Sequence, residues 1–198
     1  MKIKEVKNIY GDRMQKEFDY ISRFITGYGI DVGCGTNRLS PDVLAIDAFD
    51  HRTADFHTEE EKLNSNDIVH DCKDLNIDPV EWHGHKYTFE DDSLDFIFSS
   101  HCLEDFEDIP KVFQEWWEKL KPGGYMLLLL PDMETGRYPK VGSPNGNPSH
   151  RTDVGKKYIV KMLDTLSIDY KMIQADTIPH DLSCSIDFVI LKERKNHG

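Results

Sequence analysis

An α/β fold with a mostly parallel sheet covered by helices is what this sequence predicts, and three observations predict it. Short apolar runs alternate along the chain with stretches of helical periodicity. The first run, Gly29-Ile30-Asp31-Val32, passes directly into a glycine turn, Gly33-Cys34-Gly35. The next, Val43-Leu44-Ala45-Ile46-Asp47, closes on an acid.

Residues 13–26 place Met14, Phe18, Ile21, Phe24 and Ile25 at helical spacing, which predicts an amphipathic helix ahead of the first strand. Strands are expected at 29–32 and 43–47, a weaker one at 67–71, and a fourth at 94–99. A helix follows, because Ile109, Val112, Phe113, Trp116, Trp117 and Leu120 recur at three- and four-residue steps. Pro110 suits its first turn, and Lys121-Pro122-Gly123-Gly124 stops it. The fifth run, residues 125–130, is continuous enough to be buried on both faces. Residues 134–155 are rich in Gly, Pro, Asn and Ser and predict a long functional loop, mobile without ligand. Residues 156–166 read as a helix, and 170–177 with 185–192 as a closing antiparallel pair of strands. Five runs and this pair make seven strands in a single domain spanning residues 1–198.

Composition narrows the function classes. A chain of 198 residues with 38% hydrophobic and 30% charged residues suits one soluble globular domain. Its apolar runs fall far short of the roughly 18 to 20 residues that span a bilayer. The opening Met1-Lys2-Ile3-Lys4-Glu5 lacks the apolar core of a secretory signal, so a cytoplasmic location is expected. The net charge is −12 and the chain lacks a basic run, which argues against nucleic acid or an anionic membrane as the main partner. Cys34, Cys72, Cys102 and Cys184 are widely spaced without a CxxC pair, and His51, His57, His83 and His85 recur irregularly, so no metal site is expected.

The glycine turn carries the chemistry. Glycines directly after a strand accept positive φ and let a ligand approach the backbone. A dinucleotide site would want a third glycine three residues after the second, leading into a helix. That position is Arg38, and Pro41 follows, which weakens the dinucleotide reading. An acid before the turn, Asp31, and another closing the next strand, Asp47, suit a nucleoside ligand, since a carboxylate can accept from both ribose hydroxyls.

The order of motifs resembles the class I S-adenosylmethionine-dependent methyltransferases, close to the methyltransferase type 11 group. The resemblance rests on Gly29-Ile30-Asp31-Val32-Gly33-Cys34-Gly35, Leu44-Ala45-Ile46-Asp47 and Asp71-Cys72-Lys73-Asp74-Leu75. It continues through Phe89-Glu90-Asp91-Asp92-Ser93-Leu94-Asp95-Phe96-Ile97, Ser99-Ser100-His101-Cys102-Leu103-Glu104-Asp105 and Leu120-Lys121-Pro122-Gly123-Gly124-Tyr125. It implies a Rossmann-like three-layer sandwich, with a mostly parallel seven-stranded sheet and an antiparallel C-terminal strand, that binds S-adenosylmethionine. The implied cofactor contacts are Gly33, Cys34 and Gly35 beside the methionine moiety and Asp31 near its amino group. Asp47, with Ala48 next to it, would hold the ribose, and Asp71 with the Cys72 backbone would meet the adenine. Ser99 and His101 would border the methyl-donor pocket. In two places the chain departs from the pattern. The first crossover is short, so its helix is truncated or replaced by a loop, and residues 76–85 look inserted.

The resemblance also implies that Pro148 and His150, in the loop after the fifth strand, face the acceptor. Methyl transfer asks mainly for alignment, with a base where the acceptor is a hydroxyl, and histidine has a suitable pKa. His150 and His101 are the candidate catalytic residues. The expected reaction is methyl transfer to a small-molecule or sugar or glycan acceptor. The alternatives are a protein or RNA acceptor, or a non-catalytic S-adenosylmethionine-binding protein.

Overall fold

Four parallel strands set the frame. In the computed structural model, which describes residues 20–36, 38–47, 80–82, 85–136, 138–179 and 184–194, they are β1 (Gly29–Val32), β2 (Leu44–Ile46), β5 (Leu94–Ser100) and β6 (Leu120–Pro131). Two antiparallel strands, β7 (Tyr170–Pro179) and β8 (Cys184–Lys192), complete a six-stranded sheet of order β2-β1-β5-β6-β8-β7. The third expected strand, residues 67–71, lies outside the described residues, as does the first half of the expected N-terminal helix. The described half shows the end of a helix at Tyr20 and Ile21, closing in the 3-10 turn Ser22–Phe24.

Period-two alternation explains how the apolar runs serve two faces. On one face Ile30, Val32, Leu44, Ile46, Ile97, Met126, Leu128, Leu130, Phe188 and Ile190 join one buried cluster. That cluster includes residues of both α1 (Ile109–Lys119) and α2 (Lys156–Leu166). On the other face Phe96, Phe98, Leu127 and Val189 pack with Ile21, Ile25, Leu39 and Val43. The result is a three-layer sandwich, as the apolar patterning predicts.

α1 begins where Asp108 caps it, its side chain accepting from the Lys111 N–H at 3.2 Å. The expected stop at Lys121-Pro122-Gly123-Gly124 takes a different form. The chain leaves α1 directly into β6, and those four residues bulge between the pairs Leu94↔Leu120 and Phe96↔Tyr125. The short first crossover contains only turns and bends among its described residues, which is the loop alternative. The inserted segment contains a feature the periodicity did not announce. β3 (Val80–Trp82) and β4 (His85–Tyr87) pair as an antiparallel hairpin apart from the main sheet. No described helix is long and apolar enough to cross a membrane.

At the edge opposite the glycine turn, Asp95 ties β5 to its surroundings. Its carboxylate accepts from the Tyr28 N–H and from the Lys121 ammonium, each at 2.7 Å. Burial works against the charge, but these two donors outweigh it and hold the carboxyl below its ordinary value of 3.8. Such a group stabilises the fold above its unfolded pKa, and the contribution is lost as pH falls through the folded pKa. Asp95→Asn should therefore cost about 1 kcal/mol at pH 7, given the partial exposure of the pair, and little at pH 3. Urea denaturation of both proteins at the two pH values measures this; an equal deficit at both would show that the ionised form is irrelevant.

Candidate functional site

Because β1, β2, β5 and β6 are parallel, their carboxyl ends share one edge, and β1 lies between β2 and β5 where the connection reverses direction. Ligands of open α/β sheets bind outside such a point. Past Val32 the chain turns through Gly33 and Gly35 with φ of +72° and +57°. The Gly33 N–H donates to the Ile46 carbonyl at 2.8 Å, which fastens the turn to β2. A Cβ on Gly33 would overlap Cβ and Sγ of Cys102. Gly35 is the opposite case: a Cβ there would meet no described atom within 4 Å. One glycine is needed for packing, and the other borders open space.

Two acids flank this space. Asp31 is 1% exposed, and its Oδ2 accepts from the Leu39 N–H at 2.7 Å. Asp47 accepts from the Gly35 N–H at 2.8 Å and so shapes the turn it adjoins. Burial pushes the Asp31 carboxyl from 3.8 up to about 7; the Leu39 N–H opposes the rise and the charge of Asp47 adds to it. The thiols of Cys34 and Cys102 are also raised, first by burial and then by neighbouring carboxylates, which makes both poor nucleophiles. A buried acid pair beside an open glycine backbone fits a ligand carrying hydroxyls and a cationic amine.

A second constellation forms where β5 ends. Ser99 is buried within the strand. His101 then takes φ of +51°, uncommon for a side chain other than glycine, while its N–H donates to the Leu129 carbonyl at 2.8 Å. The 3-10 turn Leu103–Asp105 follows and places Glu104 under the site, 0% exposed. Oε1 of Glu104 lies 3.5 Å from Nδ1 of His101 and 3.5 Å from Nε2 of His150. The Tyr138 ring packs against both imidazoles, stacked on His101 at 6.3 Å and on His150 at 5.6 Å between centroids. His101 is 35% exposed and His150 only 3%. Ser185, at the start of β8, brings its hydroxyl within 3.2 Å of Nε2 of His101.

The 134–155 loop, whose composition predicts mobility, is anchored near its end. Val154 and His150 are buried, and the Val154 carbonyl accepts from the N–H of buried Met133, just before the loop, at 3.1 Å. The N–H groups of Arg151 and Thr152 both donate to the Glu104 carbonyl, at 2.9 and 3.2 Å, and the Ser149 hydroxyl donates to Asp105 at 2.9 Å. Isolated anchors in a polar stretch carry no periodicity, so a pattern search passes over them. Much of the loop, Pro148 included, is exposed.

Of the residues expected at the site, the structure brings Asp31, Gly33, Cys34, Gly35, Asp47, Ser99, His101 and His150 to one sheet edge. Ala48, Asp71 and Cys72 lie outside the described residues. Glu104, Tyr138 and Ser185 were missed. The three-residue spacing from His101 to Glu104 across a turn was a usable signal; the tertiary approach of Tyr138 and Ser185 left none in the sequence. Among the described residues no cluster of His, Cys, Asp and Glu is arranged to hold a metal ion.

Comparison with known proteins agrees with this geometry. A family model described as a methyltransferase domain matches residues 30–128. Phosphoethanolamine N-methyltransferase 2 of Caenorhabditis elegans is 41% identical over 44 residues, covering 22% of this chain and 10% of that protein. The malonyl-[acyl-carrier protein] O-methyltransferase of Xylella fastidiosa (strain M23) is 30% identical over 128 residues, covering 60% of this chain and 39% of that one. The chain thus spans well under half the length of these curated relatives. Among solved structures, the Burkholderia thailandensis 1,6-didemethyltoxoflavin-N1-methyltransferase, with bound 1,6-didemethyltoxoflavin and S-adenosylhomocysteine, superposes with a TM-score of 0.61. It is 12% identical, over 93% of this chain and 80% of that one, a likeness of fold.

The raised Asp31 carboxyl has a measurable consequence. Between pH 3.8 and about 7 the folded, ligand-free protein keeps a proton that the unfolded chain has released. Stability from this group is therefore full below the unfolded pKa and is lost as pH rises through the folded one. In Asp31→Asn that decline should disappear, leaving a flatter profile between pH 4 and 8. Urea denaturation across this range tests it; parallel profiles for the two proteins would contradict the assignment.

Proposed function

The chain belongs to the methyltransferase domain family and is an S-adenosylmethionine-dependent methyltransferase of class I, and on that premise we propose that it methylates a small-molecule or sugar acceptor, at a hydroxyl deprotonated by histidine. The observation that carries this reading is the His101–Tyr138–His150 stack. It lies beside the glycine turn through the Gly33–Cys102 packing and under the docked end of the 134–155 loop. The net charge of −12 supports an acceptor other than RNA.

S-adenosylmethionine supplies, when bound, a methyl group already made electrophilic by its sulfonium. The chain's residues bind and orient. In this reading Asp47 takes the ribose hydroxyls, the backbone of Gly33, Cys34 and Gly35 lies beside the methionine moiety, and Asp31 faces its amino group. Ala48, and Asp71 with Cys72 at the adenine, complete the cofactor set by resemblance. Ser99 borders the donor pocket. Exposure separates the two histidines. His101 is open enough to meet an acceptor; its Nδ1 lies 3.5 Å from Glu104, which leaves Nε2, beside the Ser185 hydroxyl, as the nitrogen that takes the acceptor proton in this reading. His150 is buried behind Tyr138 and acts through its neighbours.

Two measurements test this. Calorimetry with S-adenosylhomocysteine should show binding, and Asp47→Ala should weaken it by about 1.5 to 3 kcal/mol through lost charge-assisted hydrogen bonds. Unchanged affinity would remove Asp47 from the ribose site. Transfer of labelled methyl from S-adenosylmethionine should appear in a metabolite extract rather than a macromolecular one. With the acceptor found there, His101→Gln should lower turnover by about 10²- to 10⁴-fold, and His150→Gln by less, with cofactor affinity unchanged in both. Transfer confined to macromolecules, or full turnover in His101→Gln, would overturn the proposal.

A further inference from the structure

Glu104 is the buried group that the reaction as described leaves unused. It is 0% exposed, and neither of its carboxylate oxygens accepts a hydrogen bond from a described residue. A carboxylate withdrawn from water without partners is costly, and such an arrangement persists where a nearby cation compensates it. Two nitrogens sit close enough to do so, Nδ1 of His101 and Nε2 of His150, both 3.5 Å from the same oxygen, Oε1.

The backbone around Glu104 is fixed from two sides. Its own carbonyl takes the N–H groups of Arg151 and Thr152, which places His150 next to the side chain. On the other side, the left-handed turn at His101 swings that imidazole back over the 3-10 turn. Tyr138 closes the third side, stacked nearly parallel to both rings at 30° and 27°. The remaining charged and titratable neighbours are few. Asp105 lies 4.0 Å from Nε2 of His150 and feels the charge of Arg151. Cys102 is a protonated thiol, and Ser185 meets the far nitrogen of His101. Glu104 is thus the carboxylate nearest to both imidazoles.

We propose that Glu104 is a shared positioning residue, one buried carboxylate that sets the ring orientation, tautomer and basicity of both His101 and His150. With Nδ1–H of His101 directed at Glu104, the opposite nitrogen faces the acceptor with its lone pair, and the imidazolium formed on proton transfer is stabilised from below. No more than one imidazolium can be fully balanced by a single carboxylate. Tyr138 packs against both rings. Burial first, and then the charges of Glu104 and Asp105, push its phenol above the ordinary value. This inference rests on the reading of His101 as the acceptor-side base, but its test needs no acceptor.

The imidazole nitrogens can be followed by NMR through a pH titration of the S-adenosylhomocysteine complex. In the wild type, His101 should carry its proton on Nδ1 when neutral. Glu104→Gln, of the same shape without the charge, should lower the midpoint of the first histidine to protonate while S-adenosylhomocysteine affinity stays within about twofold. A second variant works even where the glutamine protein fails to fold. His150→Asn leaves Glu104 to one imidazole, so the His101 midpoint should rise. Unmoved midpoints in a folded Glu104→Gln protein, or an unmoved His101 midpoint in His150→Asn, would overturn the proposal. An activity loss in Glu104→Gln with unchanged midpoints would assign the residue to structure alone and leave the methyltransferase reading intact.

Discussion

The packing of Gly33 against Cys102 is the contact on which the rest of the site depends. No side chain fits between them, so the cofactor-side turn after β1 and the exit of β5 are held at backbone distance. The turn is also fastened to β2 through the Ile46 carbonyl, and the β5 exit to β6 through the Leu129 carbonyl. Four parallel strands thereby control both halves of one crevice. The acids and the histidines come from separate segments of sequence, yet their spacing is set by rigid backbone rather than by flexible side chains. Methyl transfer, which depends mostly on alignment of three atoms, gains most from rigidity of this kind.

Rigidity is combined here with a costly concentration of buried acid. Asp31, Asp47, Glu104, Asp132 and Asp187 are all buried, while among the described residues only His150 represents the potential cations in the buried polar groups. Some are relieved locally: Asp132 accepts from the Thr177 hydroxyl at 2.7 Å, and Asp187 from the Gln174 amide. Asp187 is nonetheless pushed to about 6, with burial the leading cause, and Asp31 to about 7. Carboxylates placed this way disfavour the empty fold and favour ligands that bring donors or positive charge. The site's composition is therefore better explained by what it binds than by what it contributes to stability.

The fold was largely legible in the sequence, because apolar period and glycine punctuation act locally. The runs at 29–32, 43–47, 94–99 and 125–130 each became strands, and α1 and α2 start and stop close to the positions their spacing implies. The placement of Asp31, Gly33, Gly35 and Asp47 was legible for the same reason, since they lie at strand ends where topology leaves little choice. What escaped was tertiary. The β3–β4 hairpin is too short for two three-residue strands to show a period. Tyr138 sits in a loop without apolar rhythm, and its meeting with two histidines depends on how residues 150–155 dock, which is set by hydrogen bonds to one carbonyl of a distant turn.

That docking also bears on how the acceptor half can vary. The backbone carbonyl of Glu104 holds the loop, and its side chain faces the two imidazoles, so one residue couples loop position to histidine environment. Residues 139–149 carry mostly exposed side chains beyond this anchor. Exposed loop residues tolerate change more readily than the elements that support them. Acceptor preference can therefore shift through the outer loop without disturbing the Glu104 junction, whereas a change at the junction moves loop and histidines together. The cofactor half has no such freedom, since its turn is bound to β2, β5 and the two acids at once. In the proposed reading, donor chemistry is built into the sheet, and acceptor recognition is carried on a loop hinged to a single turn of it.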